Sequence, residues 1–358
     1  MKDLRRFCIV SSDTPIKEKS SKRKYLLLLA AIFVVAAGWS GAWAYGRSVL
    51  ASQIDRQLAQ ISDLGTEVNC RDLDIGGYPF RYEIYCKDLR AADLSGAEST
   101  VAGLNAVALV YNPWHVILEA KTPAAVSVPL KGVAGELSWK TAWASAKYSM
   151  DSLGDVDVVL TQPELNIQNP LASGRAGSAK VELHLRASPD ETGAVDGFVS
   201  IDGLTSELMP SLASPVDTRF HVRVKDAAPL LAGADLRWII QEKGGELPVR
   251  LELAEIAMGM SRFGASGDLT VNDAGALSGT LTLTLVQPDG FLKTIQPLFP
   301  VGSNEFSILE SLLTSLKPTG TDHRGDPAIE FLLILDHGLM RVGFITLGRI
   351  PPLFQAGS

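Results

Sequence analysis

Few side chains in this 358-residue sequence have the types and spacing that chemistry requires. Asp155 and Asp157 form a D-x-D pair, which would place two carboxylates on one strand face, where a divalent cation could bind. Their alternation with Val156 and Val158 is also the pattern of an ordinary half-buried strand. The five histidines, at positions 115, 184, 221, 323 and 337, are never at the sequence spacing of metal ligands. We therefore predict no metal centre and no bound cofactor.

The sequence also lacks the motifs that carry catalysis. It contains no nucleophile elbow, Walker loop, dinucleotide-binding glycine motif or zinc-protease motif. The RGD segment at residues 324–326 has the form of an adhesion motif, but its setting, TDHRGDP, is typical of a polar turn. Trp114, Trp139 and Trp143 could stack on a sugar or a lipid headgroup, although packing in a core or at a sheet edge is the commoner role. We predict that the protein is not an enzyme; the alternative is a hydrolase, an esterase or glycosidase, for which the sequence offers no activated nucleophile or base pair.

Charge is distributed unevenly along the chain. Residues 1–24 carry eight Lys/Arg and three Asp/Glu, a net charge of +5, so the remaining residues carry 25 basic and 37 acidic side chains, or −12. A body this acidic would repel phosphate groups, so we predict that it binds no nucleic acid.

The segment at residues 25–46 contains no charged side chain and, as a helix of roughly 33 Å, is long enough to cross a membrane. The basic tail before it, residues 1–24, favours an N-terminus in the cytoplasm and an exported body. This pattern predicts a single-pass protein of the bacterial inner membrane with its body in the periplasm. The alternative is a signal peptide cleaved at Ala42-Trp43-Ala44.

Cysteine positions agree with that topology. Cys8 lies before the apolar segment and should stay a free thiol, whereas Cys70 and Cys86 lie on the exported side, where disulfides persist. A turn between them would let two strands bring these cysteines together. The turn motif consists of Gly76, Gly77, Tyr78, Pro79, Phe80 and Arg81. We predict a Cys70–Cys86 disulfide rather than two buried thiols.

The body, residues 65–358, has a hydrophobic period of two, which indicates strands with one apolar and one polar face. The sequence therefore predicts a mainly β protein. An N-terminal transmembrane helix and a helical stalk at 47–64 precede an elongated antiparallel sheet, which forms either a curved groove or a sandwich. The residues that would line an apolar groove are Val181, Leu183, Leu185, Phe220, Val222, Val224, Leu281, Leu283 and Leu285.

A few segments depart from the strand pattern. Helical spacing predicts short helices at 228–242, 290–298 and 304–316. The stretch at 168–179 is rich in Gly, Ser, Asn and Pro, and is the best candidate for a seam between two halves of the body.

Three passages carry a resemblance to a known family. They are LDIGGYPFRYEIYCKDL at 73–89, FGASGDLTVNDAGALSGTLTLTL at 263–285 and FLLILDHGLMRVGFITLGRIPPL at 331–353. Together with the N-terminal apolar segment, they resemble an uncharacterised family of alphaproteobacterial envelope proteins, domain-of-unknown-function family 2125. The resemblance implies an envelope location and supplies no catalytic residues. The strand–turn–strand units are also similar to the β-grooves of AsmA-like envelope proteins, which implies a role with lipids.

Two functions fit these observations. The first is a non-enzymatic envelope module that shelters lipid or another apolar ligand in a β-groove. The second is a periplasmic scaffold or assembly factor that binds another envelope protein through its acidic surface or a sheet edge. An exposed, ordered groove in the fold would favour the first function, and a closed sandwich with an exposed edge strand would favour the second.

Overall fold

The computed structural model describes residues 22–63, 65–94, 96–150, 152–170, 173–208, 214–296, 299 and 302–354. Most of the predicted basic tail, including Cys8, lies outside the described residues. The chain divides into two units, residues 1–50 and 51–358.

The N-terminal element is a single helix, α1, at Lys22–Asp63. It is 42 residues long, is long and apolar enough to cross a membrane, and has no buried residue. Leu and Ala dominate its apolar half, and both have high helix propensity. The predicted membrane segment (25–46) and the predicted stalk (47–64) are therefore one uninterrupted helix as far as Asp63.

The body is built from strands, and strand residues make up 53% of the chain. The prediction of a mainly β protein with an N-terminal apolar helix, a large antiparallel sheet and a few short helices is confirmed. The strands are β1 Thr66–Cys70, β2 Asp74–Gly76, β3 Arg81–Asp93, β4 Glu98–Leu109, β5 Asn112–Val128, β6 Val133–Ser138, β7 Thr141–Tyr148, β8 Leu153–Thr161, β9 Glu164–Gln168, β10 Gly174–Gly177, β11 Lys180–Ala187, β12 Val195–Ser206, β13 Val216–Val224, β14 Glu246–Met258, β15 Ser261–Asn272, β16 Leu277–Val286, β17 Gly320–Thr321, β18 Pro327–Asp336, β19 Leu339–Val342 and β20 Ile345–Arg349.

Pairing is antiparallel throughout, and mostly between strands close in sequence. The main ladder runs β3–β4–β5–β7–β8–β11–β12–β13–β14–β15–β16–β18–β19–β20, and β1 and β2 pair with the remaining side of β3. The turn between β15 and β16 shows how residue types favour such a hairpin. The side chain of Asn272 accepts hydrogen bonds from the N–H groups of Ala274 and Ala276, and Gly275 has a φ of 78°.

Several neighbouring strands are interrupted at one level of the sheet. β6 and β7 both pair with β5, so they are two segments of one interrupted strand. In the same way, β8 and β9 are two segments of the next strand, and β10 and β11 are two segments of the strand after that. The breaks fall at Trp139-Lys140, Gln162-Pro163 and Ser178-Ala179, and β12 shifts register near Gly203. We call this line of breaks the crease. The predicted seam at 168–179 falls in and around the β9–β10 connection.

Four short helices accompany the C-terminal half of the sheet. They are α2 Ala228–Leu231, α3 Leu236–Glu242, α4 Pro288–Ile295 and α5 Asn304–Ser315. The predicted helix at 228–242 is two helices, because Gly233 has a φ of 84° and ends the first. Buried residues of α3 and α4, such as Ile240 and Leu292, pack with sheet residues into hydrophobic cores.

The predicted disulfide is present. Cys70 at the end of β1 is bonded to Cys86 in β3, and their Cα atoms are 5.7 Å apart. The turn motif at 76–81 joins β2 to β3, as the sequence indicates, and Gly77 has a φ of 94°. A Cβ atom there would lie 2.7 Å from the carbonyl oxygen of Arg81, so only glycine fits.

The disulfide leads to the first prediction. Labelling of the denatured, unreduced protein with a thiol reagent should modify Cys8 alone, whereas labelling after reduction should modify Cys8, Cys70 and Cys86. Reduction should also lower the stability of the body by about 3 kcal/mol, because the bridge closes a loop of about 15 residues. Modification of Cys70 or Cys86 before reduction would contradict the pairing.

Candidate functional site

One face of the sheet is apolar across eight neighbouring strands, from β3 to β13. Strand alternation and pairing register place three parallel rows of apolar side chains on it. The middle row runs Ile84, Ala106, Leu118, Ala144, Val158, Leu183, Val199 and Phe220. The row on one side runs Cys86, Leu104, Ala120, Ala142, Leu160, Val181, Ile201 and Thr218, and the row on the other side runs Tyr82, Ala108, Val116, Ala146, Val156, Leu185, Gly197 and Val222. We call the three rows together the apolar face.

The apolar face is open. Leu183 is 41% exposed and Phe220 is 45% exposed, and every other residue of the middle row is half-buried. The rows beside it are also mainly half-buried; Ala142, at 8%, is an exception. The same side of β16 and β18 differs, because Leu285 is 2% exposed and Leu333 is 6% exposed. Leu285 packs against Leu292 of α4 and Leu313 of α5, so the helices cover that end of the sheet.

The nine predicted groove residues therefore fall into two environments. Val181, Leu183, Leu185, Phe220 and Val222 lie on the apolar face. The remaining four, Val224, Leu281, Leu283 and Leu285, belong to or pack against hydrophobic cores near the C-terminal half. Alternation correctly identifies which side of each strand is apolar, but it carries no information about which part of that side the helices cover.

The opposite, polar face carries a row of aromatic and ionisable side chains. His184 lies 2.6 Å from Asp157, measured from Nδ1 to Oδ1, and its ring is 5.8 Å from that of Phe198. The ring of His221 is 6.2 Å from Phe198 on the other side. These four residues, with Arg186 and Asp196, line a cleft of about 310 Å³. The sequence identifies them as polar-face residues but does not reveal that register brings them together.

The same row contains a serine–histidine pair. Nε2 of His115 is 2.9 Å from Oγ of Ser145, the residue opposite Asp157 in the β7–β8 ladder. In the part of the chain that the structure describes, no carboxylate lies within ion-pair distance of His115. The pair therefore lacks the third group that orients the histidine in serine hydrolases. Nothing beyond this hydrogen bond marks Ser145 as an activated nucleophile.

The D-x-D carboxylates are engaged in cross-strand pairs. Asp155 accepts a hydrogen bond from Nζ of Lys147 at 3.0 Å, and Asp157 pairs with His184. Among the described residues there is no group of three or more His, Cys, Asp or Glu side chains arranged to hold a metal ion. The geometry assigns both aspartates to ion pairs on the sheet surface.

Arg223 lies at the centre of one ionic cluster on the polar face, where it contacts three acidic side chains. Its guanidinium donates to Asp196 at 2.7 Å, to Asp190 at 2.8 Å, and lies 3.1 Å from Glu252. Burial of Asp196 raises its pKa, but the hydrogen bond and charge of Arg223 outweigh burial and hold this pKa below its usual value. The hydrogen bond with Asp196 in turn raises the pKa of Arg223. The cluster is therefore charged at neutral pH.

The RGD segment belongs to a second cluster, on β14 and β15. Glu255, only 3% exposed, pairs with Arg324 at 2.7 Å and with Arg219 at 3.2 Å. Arg262 donates to Asp322 at 2.6 Å and also pairs with Asp326. Arg324 and Asp326 thus anchor the turn to the sheet. Their role in the structure is to hold the turn in place.

The three tryptophans have different environments. Trp139, at the crease, is 9% exposed and its indole N–H donates to the carbonyl oxygen of Ala120 at 3.0 Å. Trp114 is 42% exposed and packs edge-to-face against Tyr148, with ring centroids 5.6 Å apart. Trp143 is 46% exposed. Trp139 is therefore buried in the fold, whereas Trp114 and Trp143 lie partly exposed on the sheet.

These features define the class of the protein. It is a β protein that has one large antiparallel sheet, an open apolar face and an N-terminal apolar helix. The family model described as "Uncharacterized protein conserved in bacteria (DUF2125)" matches residues 43–351, and the chain belongs to this family. The predicted membership of domain-of-unknown-function family 2125 is confirmed, while the similarity to AsmA-like proteins stays a prediction. No curated protein and no solved structure matches the chain.

The buried pair Arg262–Asp322 leads to the second prediction. Burial raises the pKa of Asp322, but hydrogen bonds from Arg262 and from the N–H groups of Asp326 and Arg324 hold it below its usual value. This stabilisation is complete above the unfolded pKa of about 3.9 and is lost as pH falls through the lower folded pKa. Arg262→Met should cost about 3 kcal/mol at pH 7, because an unpaired carboxylate stays buried.

Arg250→Met is the matched control. Arg250 pairs with Asp268, but both are well exposed, so the variant should lose no more than about 0.5 kcal/mol. Urea unfolding at pH 7 and at pH 3 measures the free energy of unfolding of both variants. The difference in this free energy between wild type and Arg262→Met should be smaller at pH 3 than at pH 7. Equal losses for the two variants at pH 7 would contradict the assigned role of the buried pair.

Proposed function

We propose that this protein is a non-enzymatic module of the bacterial cell envelope that binds lipid acyl chains on its apolar face. The proposed topology places α1 in the inner membrane, the N-terminus in the cytoplasm and the body in the periplasm. The basic residues before the apolar segment support this orientation. The Cys70–Cys86 disulfide supports an oxidising compartment for the body.

The observation that carries the proposal is the open apolar face itself. Eight adjacent strands spaced about 4.8 Å apart present an apolar width of roughly 35 Å. Soluble proteins rarely expose apolar patches of more than a few hundred Å², and larger ones mark binding surfaces. A bound acyl chain would gain about 0.8 kcal/mol for each CH₂ group removed from water.

Lipid is favoured as the occupant because of the element that precedes the body. The apolar half of α1 can anchor the chain in a bilayer, so lipid acyl chains are the most abundant apolar molecules available to the tethered body. The apolar face is lined mainly by aliphatic side chains, with Phe220 in the middle row. Such a lining suits flexible hydrocarbon, since it offers few polar groups that would fix the orientation of a rigid ligand.

A second candidate function, protein binding, is favoured by a separate observation at the other end of the sheet. β20 is the last strand of the main ladder, and no described strand pairs with its outer edge. Near this edge Phe344 and Leu347 are exposed, as is Leu332 of β18. An extended segment of another envelope protein could add a strand at such an edge. This function would be that of a scaffold or assembly factor.

Site-specific photocrosslinking in intact cells leads to the third prediction. A photoreactive amino acid at position 183 or 220 should form adducts with lipid, because both side chains are exposed on the apolar face. The same amino acid at Thr282, which is exposed on the opposite side of β16, is the control. Mass spectrometry of the crosslinked peptides identifies the partner and excludes lipid around α1.

The outcomes separate the two functions. Lipid adducts at 183 and 220, with none at 282, support lipid binding. Protein adducts at a probe placed at Leu347, without lipid adducts at 183 and 220, would support the scaffold function instead. Lipid adducts of equal yield at all three sheet positions would contradict a specific apolar site.

A further inference from the structure

The crease contains a polar cleft that neither the apolar face nor the ionic clusters account for. Its volume is about 580 Å³, which is within the range of ligand pockets. The polar side chains that line it include Thr122, Ser138, Lys140, Gln162, Glu164 and Ser178. Gly177, Ala179 and Gly203 also line it and keep it free of large side chains.

The cleft lies where the rows of the apolar face end. Lys140 directly precedes β7 and Gln162 directly follows β8. These two strands contribute Ala142 and Leu160 to the end of the apolar face. The backbone ladder continues to this point, because the N–H of Lys140 donates to the carbonyl oxygen of Thr161 at 2.9 Å. Apolar surface and polar cleft are therefore neighbours.

The cleft contains two opposite charges, those of Lys140 and Glu164, and the charge of Glu164 also acts on the guanidinium of Arg175 beside the cleft. Lys140 and Glu164 are both exposed, and neither forms an ion pair within the described part of the chain. Lysines on the strands beside them are paired. Lys147 lies 3.0 Å from Asp155, and Lys180 lies 2.6 Å from Glu182. Lys147 and Lys180 thus each have a carboxylate partner, whereas Lys140 has none within the described part of the chain.

The walls of the cleft are held in place by the fold. The buried indole of Trp139 donates to the carbonyl oxygen of Ala120, and the N–H of Trp139 donates to Oγ1 of Thr122 at 3.3 Å. On the far side the N–H of Gly203 donates to Oδ1 of Asp217 at 2.7 Å, and Gly203 has a φ of 66°. A ligand therefore meets a formed site, which lowers the entropic cost of binding.

We propose that the crease binds the zwitterionic headgroup of a phospholipid whose acyl chains lie on the apolar face. Lys140 pairs with the phosphate and Glu164 with the ammonium group, while the hydroxyl and amide groups donate hydrogen bonds to phosphate oxygens. This inference rests on the proposed function and names its lipid class. An anionic headgroup without an amine would leave Glu164 unpaired and would be repelled by it.

The test uses the full-length chain with the photoreactive amino acid at position 183. It is reconstituted in vesicles of equimolar phosphatidylethanolamine and phosphatidylglycerol that have identical acyl chains. Adduct masses at position 183 report which headgroup the bound lipid carries. The wild-type cleft should favour phosphatidylethanolamine by about threefold to fivefold, as expected for one or two partly exposed ion pairs.

Variants of the two charged residues complete the experiment. Glu164→Gln should bring the ratio of the two adducts close to one, and Lys140→Gln should reduce both adducts. Glu136→Gln and Lys131→Gln are the matched controls, because these residues are exposed and lie outside the cleft, and they should leave both readouts unchanged.

Two results would contradict the proposal, and they lead to different conclusions. Lipid adducts in the ratio of the vesicle lipids, unaffected by Glu164→Gln, would overturn the headgroup site and leave acyl-chain binding intact. The absence of any lipid adduct at position 183 would overturn the proposed function, and the headgroup site with it.

Discussion

The structure depends on one constraint: adjacent residues of a strand must point to opposite faces of a continuous antiparallel ladder. In the eight ladder strands from β3 to β13 the residues of the three apolar rows stay opposite one another, so apolar residues collect on one face and ionisable residues on the other. A globular protein normally buries such a face under a second layer. Here α2 to α5 and their connections bury residues mainly near the C-terminal half, where Leu247 and Leu285 are almost fully buried.

Without a covering layer, the open part of the sheet must be stabilised by interactions other than core packing. These interactions are the backbone hydrogen bonds of the ladder and the cross-strand ion pairs on the polar face. Arg223 in β13 and Asp196 in β12 are buried enough that losing one partner would leave an uncompensated charge. The Cys70–Cys86 bridge ties β1 to β3 near one edge.

Local sequence patterns predict much of this architecture. Alternation in Val181, Leu183 and Leu185 identifies the apolar side of β11. Helical spacing predicts the start of α5 at residue 304, where the hydroxyl of Ser303 accepts from the N–H of Phe306. The cysteine spacing and the turn at 76–81 predict the disulfide. Each of these features depends on residues that lie near one another in the chain.

The features that sequence reasoning misses depend on pairing register. Arg262 and Asp322 are sixty positions apart, and Lys140 and Glu164 share a cleft only because neighbouring strands break at the same level. Nothing in a single sequence reveals such a coincidence of breaks, just as the alternation of Leu281 does not reveal the core that covers it.

The most direct test of an open apolar face is the free energy of unfolding of Leu183→Asn and Leu281→Asn. Leu183→Asn should cost about 1 kcal/mol, because that side chain is already 41% exposed. Leu281→Asn should cost about 4 kcal/mol, because an amide enters a core where Leu281 is 8% exposed. Equal, large losses for both variants would mean that the face around Leu183 is a closed core, and would contradict the account.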